Sequence, residues 1–145
     1  FNEFFLPYLK QTVDRLNEFQ GAVSIHICGN TKDRWKEVVD AGVSSFWVDN
    51  CESLKELKEA YGDRVAVSGN VIPVEVLRDG TAEEIAENVR TCIEQAADNP
   101  CGYNLCPGCT TPVGTSKDNM TAFMNAAAIY GRGARKGCLP RGVTE

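Results

Sequence analysis

Ala22-Val23-Ser24-Ile25-His26-Ile27-Cys28 alternates apolar and polar residues and ends on two metal-type donors. Side chains at i and i+2 on a strand point the same way. His26 and Cys28 can therefore reach one ion together from the end of a short strand. His26 is the single histidine of the chain. A matching stretch lies far downstream, where Gly102-Tyr103-Asn104-Leu105 runs into Cys106-Pro107-Gly108-Cys109. It reads as another strand ending in a Gly/Pro loop. Nitrogen and sulfur donors of this kind suit zinc better than any hard cation.

Between and around these two ends the chain alternates helix and strand patterns. Phe5, Leu9, Val13 and Leu16 recur at helical spacing, with Pro7 near the first turn. A strand follows at about 22 to 27. Thr31 is placed to cap a helix with inner face Trp35, Val38 and Val39, ended by Gly42. Ser45-Phe46-Trp47-Val48 reads as a second strand. Leu54, Leu57 and Tyr61 mark a helix stopped by Gly62. Arg64-Val65-Ala66-Val67 is a third strand, and Gly69-Asn70-Val71-Ile72-Pro73 reads as the turn after it. Thr81 with Glu84 forms a capping box for a helix through Ile85, Val89 and Ile93. The fourth strand spans about 102 to 106. Ser116 caps a last helix through Met120, Phe123, Met124, Ala127 and Tyr130, closed by Gly131.

A helix followed by four strand–helix units predicts parallel strands with helical crossovers. The strands read as apolar on both faces, as in a sheet covered by helices. An open doubly wound sheet competes with a TIM-barrel-like (β/α) half, the C-terminal four units of a (β/α)₈ barrel. The half barrel is favoured because each strand runs at once into polar or reactive residues: His26 and Cys28, Asp49 and Asn50, Asn70, then Cys106 and Cys109. A barrel gathers its post-strand loops at one mouth. Residues 1–131 form this half barrel and 132–145 a tail. The chain opens at Phe1 inside a helical pattern and reads as a piece of a longer protein.

Composition narrows the class. A chain of 145 residues fits one domain, and a net charge of −5 without a basic stripe excludes a general nucleic-acid binder. No apolar run approaches the roughly 20 residues of a membrane span. Seven cysteines without a secretory signal point to reduced thiols and a cytoplasmic location. Cys92 lies among Val89, Ile93 and Ala96 and reads as core; Cys138 sits in the tail.

At the mouth, the Cys106/Cys109 pair leaves three readings open. It is a redox dithiol, half of a closed Cys₃His site with His26 and Cys28, or one ligand beside an open coordination position. Asp49 is available as a base or a fourth ligand, or as a solvated loop carboxylate. Asn70 offers a donor and an acceptor, or plain turn chemistry.

His26-Ile27-Cys28-Gly29-Asn30, Gly62-Asp63-Arg64-Val65, Gly69-Asn70-Val71 and Pro107-Gly108-Cys109 resemble the C-terminal half of the uroporphyrinogen decarboxylase superfamily, nearest its zinc- and cobalamin-dependent methyltransferase branch. The resemblance runs from about Phe1 to Gly131. It implies a (β/α)₈ barrel with its site at the C-terminal mouth and zinc held by His26, Cys28 and Cys109. Cys106 is an addition to that pattern, able to replace or supplement Cys109. The decarboxylases themselves do not share the zinc positions. The resemblance also implies methyl transfer between methylcobalamin on a partner corrinoid protein and a small thiol, methoxy or methylamine substrate. With one histidine already assigned, no Asp-x-His-x-x-Gly corrinoid motif is possible in this chain. Tetrapyrrole decarboxylation and a non-catalytic zinc-stabilised Cys₃His module are the rivals. The remaining barrel strands would come from an N-terminal half or from self-association.

Overall fold

The structure, a computed structural model, describes all of residues 1–145. Helix α1 (Leu6–Asn17) precedes four units: β1 (Ser24–Ile27) with α2 (Trp35–Asp40), β2 (Ser45–Val48) with α3 (Leu54–Tyr61), β3 (Ala66–Val71) with α4 (Ala82–Ala96), and β4 (Tyr103–Pro107) with α5 (Lys117–Tyr130). A short α6 (Arg141–Thr144) follows. All strand pairs are parallel, and the sheet order is β1-β2-β3-β4. Strictly sequential order has no reversal point, so a doubly wound sheet is excluded. It is the order of consecutive strands in a (β/α)₈ barrel.

Why the sequence folds this way is visible at the helix starts. Ser53, Thr81 and Ser116 each accept a hydrogen bond from the backbone N–H three residues on, and Thr81 with Glu84 completes the capping box. The helices pack on one sheet face only. Phe46, Val48, Val67 and Val71 are fully buried there against Val38, Leu54, Leu57, Ile85 and Val89. Each such side chain contributes on the order of 1.5–3 kcal/mol by leaving water.

The opposite face corrects the expectation of strands apolar on both sides. Register aligns His26 with Trp47, Trp47 with Ser68, and Ser68 with Asn104. Ser45 and Ser68 share a hydrogen bond of 3.0 Å on this face. A polar inner face suits the mouth of a barrel, not a sheet sandwiched between two helix layers.

Three further local expectations change. Gly69-Asn70-Val71 is no turn: β3 continues through Val71, paired with β4 as far as Pro107. Pairing with β4 along this stretch overrides the turn chemistry of the sequence. The Gly69–Asn70 peptide is cis. The turn comes later, as one π-helical stretch Pro73–Arg78 whose end is closed by Asn119 Nδ2, donating to the carbonyls of Leu77, Arg78 and Gly80. Thr31 does not cap a helix. Its hydroxyl donates to the buried Glu52 carboxylate, and a 3₁₀ turn (Lys32–Arg34) intervenes before α2. On α5, Phe123 and Ala126 are buried, while Met124 faces solvent. Of the expected stripe, Met120, Phe123 and Tyr130 pack on the core, and Ala126 joins them. Residues 132–145 include α6, and Pro140 is buried.

Candidate metal centre

Three donor atoms converge beyond the C-terminal ends of the strands. Cys28 Sγ lies 3.2 Å from His26 Nε2 and 3.5 Å from Cys109 Sγ, and all three donors lie within 4.8 Å of one another. For zinc with bonds of about 2.0–2.3 Å in tetrahedral geometry, ligand atoms stand about 3.5–3.8 Å apart. The spacing and the donor chemistry fit that ion. His26 and Cys109 are half-buried and Cys28 is exposed. Cys106 does not join the group.

Each arm is held by named groups. His26 Nδ1 donates to the Trp47 carbonyl at 3.0 Å, which turns Nε2 toward the sulfurs. With Nδ1–H spent there, Nε2 is the ring atom that faces the sulfurs. Hydrogen bonding to His26, and next to Cys28, draws the Cys109 thiol below its usual range. The same Cys28–Cys109 hydrogen bond pushes Cys28 up.

The loop after Cys28 is fixed from β2's end. Asp49 Oδ2 accepts from Gly29 N–H at 2.9 Å, and Oδ1 accepts from Cys51 N–H at 3.2 Å. Burial raises the Asp49 carboxyl, but these backbone donors outweigh it and hold the group below the ordinary carboxylate range. The buried Glu52 carboxylate accepts from both the N–H and the hydroxyl of Thr31. The loop before Cys109 rests on the same turn: a Cβ on Gly108 would stand 2.5 Å from Asn50 N, so only glycine fits.

Asp49 and Asn70, expected as catalytic groups, hydrogen-bond within this scaffold and stand outside the donor trio. Asn70 Nδ2 donates to the carbonyls of Asp49 at 3.0 Å and Glu52 at 2.8 Å, clamping the turn that carries both carboxylates. Its Oδ1 accepts from the Cys92 thiol at 3.8 Å. Asn70→Ala leaves two carbonyls without a donor. It is expected to cost about 2–4 kcal/mol of stability, read as a lower urea midpoint with the same slope. An unchanged midpoint would mean that water replaces the amide and the clamp is unimportant.

Burial pushes the Cys106 thiol up to about 11, and Cys92 likewise to about 11. Both are held in the neutral thiol form at neutral pH. All seven cysteines are free. Glu52 and Trp47 were not singled out in the sequence. Their only signal was proximity to strand ends that carry ligands.

Against known proteins, the family model described as Uroporphyrinogen decarboxylase (URO-D) matches residues 1–130. A protein named methylcobamide:CoM methyltransferase MtbA, from Methanosarcina acetivorans, is 29% identical over 130 residues, covering 90% of this chain and 37% of its own length. A protein named uroporphyrinogen decarboxylase, from Pseudoalteromonas translucida, is 32% identical, covering 87% of this chain and 36% of its own length. A solved structure titled methyltransferase from Methanosarcina mazei superposes with TM-score 0.72 at 27% identity, covering 87% of this chain and 35% of that one. The chain thus spans little more than a third of the length of these relatives. No helix is long and apolar enough to cross a membrane.

Proposed function

The chain belongs to the uroporphyrinogen decarboxylase (URO-D) family, and on that premise we propose that it serves zinc-dependent methyl transfer between a corrinoid protein and a small thiol, methoxy or methylamine substrate. The observation that carries the reading is the convergence of His26 Nε2, Cys28 Sγ and Cys109 Sγ at the C-terminal ends of parallel strands. Three protein ligands leave a fourth position free, the pattern of catalytic zinc. Zinc bound there supplies a Lewis acid toward a substrate thiol, ether or amine.

The chain's own groups set the conditions for that chemistry. Two cysteines bring negative charge, so a sulfur held beside them stays electron-rich. Trp47's carbonyl fixes the imidazole tautomer, and Asp49 and Glu52 hold the Cys28 loop so that the sulfur need not be ordered at the moment of binding. Cys106 remains a neutral thiol below the site. In this reading methylcobalamin arrives on a partner corrinoid protein. Four strands form half of an eight-stranded mouth. A further polypeptide segment or a second copy completes it.

Decarboxylation is the second reading, favoured by the 32% identical relative of that name. Assay of the completed barrel with a methylated corrinoid protein and panels of thiols, methoxyaromatics and methylamines separates the two. The cobalamin absorption spectrum is expected to change with at least one partner, and not after Cys28→Ala. A constant spectrum with every partner, together with carbon dioxide release from uroporphyrinogen, would replace methyl transfer by decarboxylation.

A further inference from the structure

We infer that the Trp47 side chain is a strut that holds the two arms of the metal centre in register, a positioning residue that rests on the zinc reading above. The arms start far apart. His26 and Cys28 extend from β1, and Cys109 follows β4, with β2 and β3 between them. Three interstrand steps of about 4.8 Å span roughly 14 Å along a flat sheet, yet the two sulfurs are 3.5 Å apart. Sheet curvature and loop reach must close that gap, and something must hold it closed without the ion.

Trp47 touches both arms. On the β1 side its ring lies against the His26 imidazole, centroids 4.1 Å apart and tilted by 32°. On the β4 side its indole Nε1 donates to the Pro107 carbonyl at 2.7 Å, two residues before Cys109. To reach Pro107 from β2, the indole must pass over β3. The residue there is Gly69, at φ +124°, where a Cβ would stand 3.6 Å from Trp47 Cδ1 and 2.9 Å from the Val48 carbonyl oxygen. A side chain at Gly69 would crowd both the strut and its own neighbour strand.

The contact is specific and not a requirement of any buried indole. Trp35, the other tryptophan, is buried in the helix layer with its Nε1 unpaired. An acceptor for Trp47 is therefore not forced by burial alone. Loss of the indole N–H frees the Pro107-Gly108-Cys109 loop to move away from the His26 and Cys28 donors. The ring itself can remain.

The test replaces Trp47 by its isostere benzothienylalanine, which keeps the bicyclic shape and lacks the N–H, alongside Trp47→Phe. Zinc affinity is measured by chelator competition, cobalt(II) absorption reports the ligand set, and thermal unfolding of the metal-free protein reports folding. The isostere is expected to bind zinc about ten- to a hundredfold more weakly, as when an outer-shell partner is lost. Its sulfur–cobalt absorption should weaken while its metal-free unfolding stays that of the wild type. Affinity within twofold of wild type would overturn the strut. So would a loss of affinity matched by an equal loss of metal-free stability, which would make Trp47 a packing residue. If wild-type protein binds no zinc, or His26→Ala and Cys28→Ala bind as well as wild type, the zinc reading fails and the strut fails with it.

Discussion

Cys109→Ala is expected to strip zinc from the protein. Binding at a four-ligand protein site is worth about 10–16 kcal/mol, or about 2.5–4 kcal/mol per ligand. Loss of one sulfur should then weaken affinity by roughly two to three orders of magnitude. Cys28→Ala should match it, because both sulfurs belong to one donor group within 4.8 Å. Cys106→Ser should leave zinc content unchanged, since Cys106 lies outside that group and its thiol is pushed up to about 11. Metal content after dialysis against a weak chelator reads all three variants. Retained zinc in Cys109→Ala would sink the trio. Equal loss in Cys106→Ser would instead recast the site as a closed Cys₃His module, and a zinc signal blind to added thiol would agree with it.

The sequence signalled the converging donors more clearly than the parts that hold them. His26 and Cys28 were legible because strand alternation ends on them, and the i, i+2 rule does not depend on what the strand packs against. Helix starts at Thr81 and Ser116 were legible for a similar reason: a cap is a local bond between neighbours in sequence. Thr31 looked the same and behaved otherwise. A buried carboxylate 21 residues away took its hydroxyl, and nothing near Thr31 records that competitor.

β3 failed on the same principle. Gly69 and Asn70 carry turn chemistry, but β4 pairs with them and the strand continues through Val71. What decided the outcome was the neighbours across the sheet, which a local pattern does not encode. The apolar content of each strand hides the polar inner face. Ser24, Ser45, Ser68 and Asn104 declare one face only once the register aligns them. Trp47 reads as an ordinary strand aromatic until its indole is seen bonded to a carbonyl 60 residues on.

Zinc is also expected to act as a clasp on the fold. The ligands join the end of β1 to the loop after β4, and Cys28 and Cys109 are 81 residues apart in sequence. β1 and β4 are the two outer strands, each paired on one side only. Such edges open first, while β2 and β3 sit inside the sheet. An ion that binds only when both ends are in place stabilises the folded state by about 2.7–4.1 kcal/mol at a hundred to a thousand times its dissociation constant. For a chain of 145 residues that corresponds to a rise of roughly 10 °C in the unfolding midpoint. Magnesium should give no rise, because it does not favour sulfur ligands. Hydrogen exchange locates the effect. Amides of β1 and β4 should gain protection with zinc, and those of β2 and β3 should change least. Cys28→Ala and Cys109→Ala should unfold at one midpoint with or without the ion. A wild-type midpoint that ignores saturating zinc would mean that the two ends of the sheet are not joined through the metal.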